Sequence, residues 1–339
     1  MKPLKKNRQL SPWSIPPDPE LIFPREDLEQ LLSYLGWEDP LAWLQHWIKR
    51  GGGQLASSAW PVDVRTDWLW GLGLPFLSHL EQYVEIENNR VLFGLSGLPG
   101  SGKTTFGKWL EVATTNLGWP VKVISMDDYY LPSSELDKAM YGNPWNVPRG
   151  LPGSHSIELL EDSIDTWLDT GDLHAPQFDK ALREGRGDRC GWQDSQPKVL
   201  VLEGWFLGCS PTTQNSEALC IPNGSCGIVT TKEQEYQKVI QASLKQYIPI
   251  WERLERVWHL KASKFNSTRS WKMQQEMNMQ SERGSSLQGK SLDLFLRMIE
   301  TAIPPNDLES IDANCVAIIN KLRQIIWVGI KEEEPSQRC

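Results

Sequence analysis

From residue 90 onward, the pattern of apolar and polar positions predicts alternating strands and helices. Short apolar runs predict strands, and apolar residues repeating every three or four positions predict helices. The predicted strands are 91–93, 121–125, 199–202, 257–261, 315–319 and 325–330. The predicted helices are 105–117, 157–169, 231–254, 267–279 and 291–302. This order is typical of an α/β fold with a mostly parallel sheet and helices on both of its faces.

The first 89 residues have a different pattern, because helical spacing dominates at 27–35, after Leu41 and at 74–87. Seven of the 17 tryptophans lie here: Trp13, Trp37, Trp43, Trp47, Trp60, Trp68 and Trp70. We interpret them as packing the helices onto the rest of the chain, the alternative being a partner-binding surface. The predicted organisation is a helical extension (1–89), a main domain (90–331) and an acidic tail (332–339).

Residues 97–105 have the spacing of a phosphate-binding P-loop, placed after a predicted strand and before a predicted helix. Its glycines let backbone N–H groups point at phosphate oxygens, Lys103 adds a positive charge, and the Thr104 hydroxyl can bind Mg²⁺. Lys103 is also expected to be required for phosphoryl transfer. The predicted nucleotide-binding residues are Gly97, Leu98, Pro99, Gly100, Ser101, Gly102, Lys103, Thr104 and Thr105.

Two adjacent carboxylates, Asp127 and Asp128, follow the predicted strand 121–125. Ligands of open α/β sheets collect at the carboxyl ends of strands, so these acids are expected to face the transferred phosphate. Phosphoryl transfer to an alcohol needs a carboxylate that orients the hydroxyl and accepts its proton, and Asp127 is the candidate base. The alternatives are that Asp127 holds Mg²⁺ through water, or that one or both aspartates cap a turn.

Glu203 directly follows the predicted strand 199–202. P-loop enzymes commonly place an acid at this position to organise Mg²⁺ and water. A single acid after an apolar strand is weak support by itself, but it gains weight beside a P-loop. The predicted metal ligands are therefore Thr104, Glu203 and Asp128.

Residues 149–189, between these strands, are rich in cations and glycine. Arginine forks and backbone N–H groups suit a carboxylate or phosphate, so this region is a candidate site for an anionic acceptor. The alternative is a solvated, charged loop. The candidate residues are Arg149, His155, Lys180, Arg183 and Arg189, with His155 as a hydrogen-bonding group rather than a proton-transfer group.

Charge and cysteine content limit the partners and the cellular location that we expect for this chain. A formal net charge of −8 and a pI near 5.3 leave no overall basic surface, which argues against a nucleic-acid partner. The six cysteines show no C-x-x-C pair, which argues against a zinc site and a disulfide framework. A weaker hypothesis is redox control through Cys220, Cys226 and Cys339. With neither a signal peptide nor a membrane span predicted, we expect a cytoplasmic protein without a membrane partner.

Several motifs within residues 90–330 together resemble the plant and cyanobacterial type of D-glycerate 3-kinase. They are residues 97–105, Ser-Met-Asp-Asp-Tyr-Tyr at 125–130, Arg-Gly-x-Pro-Gly-Ser-His at 149–155, Phe-Asp-Lys at 178–180, Gly-Arg-Gly-Asp-Arg at 185–189 and Leu-Glu-Gly-Trp at 202–205. The resemblance implies a P-loop kinase fold and transfer of the ATP γ-phosphate to the 3-hydroxyl of D-glycerate. The product would be 3-phosphoglycerate, in photorespiration.

The wider group is similar to uridine kinase, phosphoribulokinase and pantothenate kinase. It implies the base role for Asp127 and acceptor contacts near Asp179. Residues 271–279 resemble the family's helix near the phosphates, and Lys272 matches one of its basic positions. Two rival functions stay open: a related kinase acting on a nucleoside, a sugar phosphate or pantothenate, and a nucleotide-switch protein without an acceptor. The paired acids and the cationic region argue against the switch.

Overall fold

The computed structural model describes residues 25–51, 66–86, 89–211, 229–284 and 286–335. Its strands are β1 (Val91–Gly97), β2 (Val121–Ser125), β3 (Leu173–Asp179), β4 (Asp188–Ser195), β5 (Val199–Gly204), β6 (Arg256–Ala262), β7 (Cys315–Ile319) and β8 (Ile325–Ile330). Its longer helices are α1 (Arg25–Tyr34), α2 (Pro40–Lys49), α3 (Leu74–Val84), α4 (Lys103–Asn116), α5 (Ser133–Ala139), α6 (Ile157–Thr170), α7 (Thr231–Leu244), α8 (Ser267–Arg283) and α9 (Gly289–Thr301).

Six strands form one sheet in the order β2-β5-β1-β6-β7-β8. The first five are parallel and β8 runs antiparallel to β7. β1 and β5 are buried along their whole length, which explains why their sequences are continuous apolar runs rather than alternating ones. Helices flank this sheet, so the predicted α/β architecture with a mostly parallel sheet is confirmed.

The strand register brings the predicted chemistry to one edge of the sheet. β5 lies between β2 and β1, and Ser125 of β2 pairs with Glu203 of β5 while Ser96 of β1 pairs with Gly204. The P-loop, the Asp127 turn and Glu203 therefore lie together at the carboxyl ends of three neighbouring strands. β5 extends two residues beyond the predicted 199–202, so Glu203 is the last but one residue of the strand itself.

Two predicted elements differ in the structure. Residues 173–195 overlap the region 149–189, for which a solvated, charged loop is one interpretation. They form the antiparallel hairpin β3–β4, because alternate residues of β3 such as Leu173 and Ala175 are buried. Charge and a proline masked this two-residue period. The predicted helix 231–254 is broken in the structure: α7 ends at Leu244 and is followed by short 3₁₀ and α segments. The cause is Pro249, which lacks the N–H that a continuous helix needs.

The described N-terminal helices share one hydrophobic core with the sheet. Trp43 and Trp47 both donate to the Ser78 hydroxyl, at 2.7 Å and 2.9 Å, and α1 packs against β8. Phe76 of α3 lies 5.9 Å from Phe93 of β1, measured between ring centroids. These contacts bury Trp43 and Trp47 beside α3, which in turn packs on the sheet, while Trp13 and Trp60 lie outside the described residues. The predicted division at residue 89 stays a prediction.

In the part of the chain that the structure describes, no helix has the length and apolar character needed to cross a membrane. Cys190 is an exposed thiol, and Cys209 and Cys315 are buried thiols. The redox hypothesis rests on Cys220, Cys226 and Cys339, which lie outside the described residues.

Candidate active site

The P-loop joins β1 to α4 and packs closely against its neighbours. Gly100 and Gly102 have φ angles of 76° and 112°, which favour glycine. A Cβ on Gly97 would lie 2.7 Å from the Leu260 carbonyl oxygen, and one on Gly100 would lie 2.8 Å from the Trp271 Cβ. Conformation or space therefore requires all three glycines, as in a loop whose backbone N–H groups surround a phosphate.

Lys103 opens α4, and its side chain is only 7% exposed. Its Nζ donates to the carbonyl oxygens of Gly97 at 2.5 Å and Leu98 at 3.3 Å, and lies 3.9 Å from Glu203 Oε2. Burial lowers the pKa of Lys103, while the negative charges of Glu203 and Asp127 oppose that shift. In a complex with a nucleotide, phosphate oxygens would replace the loop carbonyls as hydrogen-bond acceptors of the Lys103 ammonium group.

Thr104 and Glu203 are in direct contact beside the P-loop. The Thr104 hydroxyl donates to Glu203 Oε1 at 2.9 Å, and Glu203 is buried. Both are hard oxygen ligands, and Mg²⁺ at nucleotide sites takes one or two protein ligands together with phosphates and waters. Among the described residues there is no group of three His, Cys, Asp or Glu side chains suited to a metal.

Asp127 lies in a 3₁₀ turn, Met126–Tyr129, directly after β2. The Tyr130 hydroxyl donates to Asp127 Oδ1 at 2.7 Å, and the Lys180 ammonium donates to Oδ2 at 2.5 Å. Burial by itself would raise the pKa of Asp127, but the positive charge of Lys180 and the hydrogen bonds from Lys180 and Tyr130 together outweigh burial and hold that pKa well below its ordinary value. The carboxylate is therefore ionised at neutral pH and oriented through both of its oxygens.

Asp128 and Asp179 are bound to the hairpin backbone. Asp128 Oδ1 accepts from the Phe178 N–H at 3.2 Å, and Asp179 Oδ1 accepts from the Ala181 N–H at 2.9 Å. Burial raises the pKa of Asp128 to about 6, although the Phe178 N–H opposes the shift. These contacts resemble the turn-capping alternative, and the metal role of Asp128 stays a prediction.

The side chains of His155 and Arg189 contact Tyr130, and each has a buried nitrogen. The His155 ring stacks on Tyr130 with centroids 4.5 Å apart, its Nδ1 lies 2.8 Å from the Tyr247 hydroxyl, and Arg189 Nε donates to the Tyr130 carbonyl at 3.0 Å. His155 Nε2 and Arg189 Nη2 have no hydrogen-bond partner among the described residues. Burial lowers the pKa of His155 to about 4, so its imidazole is neutral at neutral pH.

Arg149 and Arg183 bind protein groups around the hairpin tip. Arg149 is buried, and its Nη1 donates to the carbonyls of Gly185 at 2.5 Å and Arg186 at 2.8 Å. Arg183 donates to the Asp137 carboxylate at 2.5 Å. The structure thus gives Arg183 an acidic partner on α5 rather than bringing it to Asp127, whereas Lys180 does reach the candidate base.

Lys272 lies on α8 in a buried ion pair. Its Nζ is 2.6 Å from Glu276 Oε1 and 4.9 Å from the centroid of the Phe295 ring. Burial lowers the pKa of Lys272 to about 8, with Glu276 opposing the shift and the nearby charges of Lys180 and Arg149 adding to it. Lys272 therefore shares an electrostatic environment with the cations of the acceptor region.

Sequence reasoning assigned no role to Tyr130, Arg323 or the ring of Trp68. Tyr130 lies within a motif that the sequence did single out. Arg323 Nε donates to the Gly100 carbonyl at 2.8 Å across 223 positions of sequence, and the Trp68 ring lies against Gly102. Such long-range contacts have no local signal in the sequence.

No known family model matches the chain. The chain is 28% identical over 218 residues to "Uncharacterized kinase mug58" of Schizosaccharomyces pombe, covering 59% of this chain and 75% of that protein. It is 25% identical over 219 residues to "D-glycerate 3-kinase, chloroplastic" of Arabidopsis thaliana, covering 61% of this chain but only 45% of that protein.

The fold is shared with a solved structure of a D-glycerate 3-kinase from Cryptococcus neoformans. The TM-score is 0.60 with 21% sequence identity, and the alignment covers 75% of this chain and 96% of the other. This likeness shows a shared fold, and both curated relatives carry the name of a kinase.

Proposed function

We propose that this P-loop kinase, which has D-glycerate 3-kinases among its relatives, transfers the γ-phosphate of ATP to the 3-hydroxyl of D-glycerate. One observation carries the proposal: Asp127, an ionised carboxylate held by Tyr130 and Lys180, lies at the same sheet edge as the P-loop and Glu203. The D-glycerate 3-kinase of Arabidopsis supports this choice of acceptor. The product would be 3-phosphoglycerate.

On the phosphate side, the backbone of the P-loop would surround the ATP phosphates and Lys103 would pair with their oxygens. Thr104 and Glu203 would hold Mg²⁺, since they already lie in contact as hard oxygen ligands. When bound, the ion neutralises phosphate charge. Lys103 and the P-loop N–H groups keep the phosphates in place while the acceptor approaches from the Asp127 side.

On the acceptor side, Asp127 would accept a hydrogen bond from the acceptor hydroxyl and take its proton as the new O–P bond forms. The bond between the γ-phosphorus and the β–γ bridging oxygen of ATP would break at the same time, and ADP would leave. An ionised carboxyl group has about four lone-pair sites, so the hydroxyl can bind while Tyr130 and Lys180 keep their contacts. A low pKa suits this task, because phosphoryl transfer through a loose transition state depends more on orientation and charge than on a strong base.

The acceptor carboxylate requires fixed positive charge and hydrogen-bond donors. Lys180, Arg149 and Lys272 would supply the charge. In support, the positive charge of Arg149 opposes the net rise in the pKa of Lys180, and the charges of Lys180 and Arg149 add to burial in lowering the pKa of Lys272. His155 and Arg189 would donate through their buried nitrogens, which have no partner within the described part of the chain. His155 is neutral at neutral pH, so it would bind rather than transfer a proton.

An acceptor panel tests this function. ADP release with Mg²⁺ and ATP is measured for D-glycerate, L-glycerate, uridine, ribulose 5-phosphate and pantothenate, with Lys103→Ala as the background. We expect turnover with D-glycerate and a 3-phosphate product by NMR. Turnover with another acceptor would replace the substrate, and nucleotide binding without turnover on any acceptor would favour a nucleotide switch.

A further inference from the structure

The segment before α3 reaches the P-loop through one tryptophan. Trp68 ends a short helix, Thr66–Trp68, that continues into a π-helical turn, Leu69–Gly73. A Cβ on Gly102 would lie 2.9 Å from Trp68 Cη2, so the outer edge of the indole rests on the P-loop backbone. The ring is 9% exposed. Gly102 is the residue that directly precedes Lys103 and α4.

The connection between β7 and β8 links Trp68 to a second P-loop glycine. The Trp68 indole N–H donates to the Arg323 carbonyl at 2.6 Å, and Arg323 Nε donates to the Gly100 carbonyl at 2.8 Å. The Arg323 guanidinium lies 5.7 Å from the Trp271 ring centroid. The P-loop is therefore held at two glycines, one contacted by an indole and the other by a guanidinium.

Further contacts fix this connection in place. The buried Asp67 accepts from the Ile325 N–H at 2.6 Å, and the Trp271 indole donates to the Lys321 carbonyl at 2.7 Å. Arg323 has a φ of 56°, a left-handed conformation that a non-glycine residue rarely adopts without supporting contacts. Trp68 contacts Arg323 itself, Asp67 contacts the chain two residues after it, and Trp271 contacts the chain two residues before it.

We infer that Trp68 and Arg323 are positioning residues that hold the P-loop in the conformation that receives nucleotide phosphates. Glycine-rich loops have many accessible conformations, and a loop that is ordered beforehand loses less conformational entropy on binding. The short helix Thr66–Trp68 then contributes to nucleotide affinity without touching the nucleotide. This inference rests on nucleotide binding at the P-loop and is independent of which acceptor the enzyme uses.

Trp68→Phe tests the inference, because it removes the indole N–H and the outer ring edge that touches Gly102. Trp43→Phe is the matched control: it also removes a buried indole N–H, bonded to Ser78, but its hydrogen bond is to α3 and not to the P-loop or the β7–β8 connection. The dissociation constant of MgADP is measured by calorimetry for both variants, together with the KM for ATP and for the acceptor, and with the melting temperature.

For Trp68→Phe we expect nucleotide affinity to fall about fivefold, the effect of one lost hydrogen bond, with the acceptor KM unchanged. Trp43→Phe should lower the melting temperature comparably and leave the affinity for MgADP intact. Equal affinity losses in the two variants, or none in Trp68→Phe, would overturn the inference. If Trp68→Phe does not fold, Arg323→Lys carries the same test, since it removes the Nε donor to Gly100 and keeps the charge.

Discussion

The phosphate-binding side and the acceptor side of the proposed site are built in different ways. The phosphate side is a run of nine consecutive residues, 97–105, whose binding groups are mostly backbone N–H groups. The acceptor side gathers side chains from the turn after β2, the loop 149–155, the β3–β4 hairpin and α8. One side is local in sequence, and the other exists only after folding.

The two sides also use a lysine and an acid differently. Lys103 lies 3.9 Å from Glu203 and bonds to loop carbonyls, whereas Lys180 bonds directly to Asp127 at 2.5 Å. The first lysine is available to exchange its partners for phosphates. The second sets the charge state of the candidate base, so removing it leaves a carboxylate without its counter-charge. Substitutions on the two sides should therefore change the kinetics of the enzyme in distinguishable ways.

The largest effect is expected on the phosphate side. Lys103→Ala should lower kcat roughly 10³-fold or more, the scale of losing one fixed charge on the transferred phosphate. Lys108→Ala, an exposed lysine on the same helix, is the control and should retain activity. Steady-state ADP release measures both variants. Appreciable activity in Lys103→Ala would contradict the proposed role.

Asp127→Asn should lower kcat about 10²-fold to 10³-fold, because general-base groups contribute on this scale. The dissociation constant for ATP, measured by calorimetry, should change little. Asp128→Asn is the matched control, since the neighbouring carboxylate bonds to the Phe178 N–H, and an amide oxygen can keep that bond. An equal loss in both variants would instead support Asp128 as a metal ligand.

Lys180→Met should lower kcat roughly tenfold at neutral pH, as expected for one lost charge-assisted hydrogen bond. Lys180 holds the pKa of Asp127 low, so its removal lets burial raise that pKa. The acidic limb of the pH profile of kcat should consequently move to higher pH. Lys138→Met, which removes an exposed lysine of α5, should leave the profile in place. An unmoved limb in Lys180→Met would show that Asp127 does not govern it.

The smallest effect concerns stability. The pKa of Asp128 is raised from 3.8 to about 6, so the folded state binds this proton more tightly than the unfolded state. Its ionisation therefore reduces stability as pH rises from about 4 to 6, and the full reduction persists above 6. Asp128→Asn should raise the melting temperature at pH 7 to 8 by about 2 °C to 4 °C and have no effect below pH 4. A gain that is independent of pH would contradict this assignment.

Local patterns predicted the main elements well. Strands β2, β7 and β8 have the predicted bounds, because each is an apolar run bordered by polar or turn residues. The β3–β4 hairpin was missed, since its exposed face carries His174 and Trp192 beside several charges and hides the two-residue period. The break after Leu244 had a local cause in Pro249, which the long apolar periodicity outweighed.

The sequence by itself determined the P-loop, the strand ends that carry Asp127 and Glu203, and the alternation of the main strands and helices along the chain. These features follow from short-range spacing, burial and backbone conformation. Tertiary structure alone decided that Lys180 pairs with Asp127, that Arg183 pairs with Asp137, and that Trp68 rests on Gly102. Each of these contacts joins residues at least 34 positions apart, and such pairs form only when the sheet and hairpin bring their segments together.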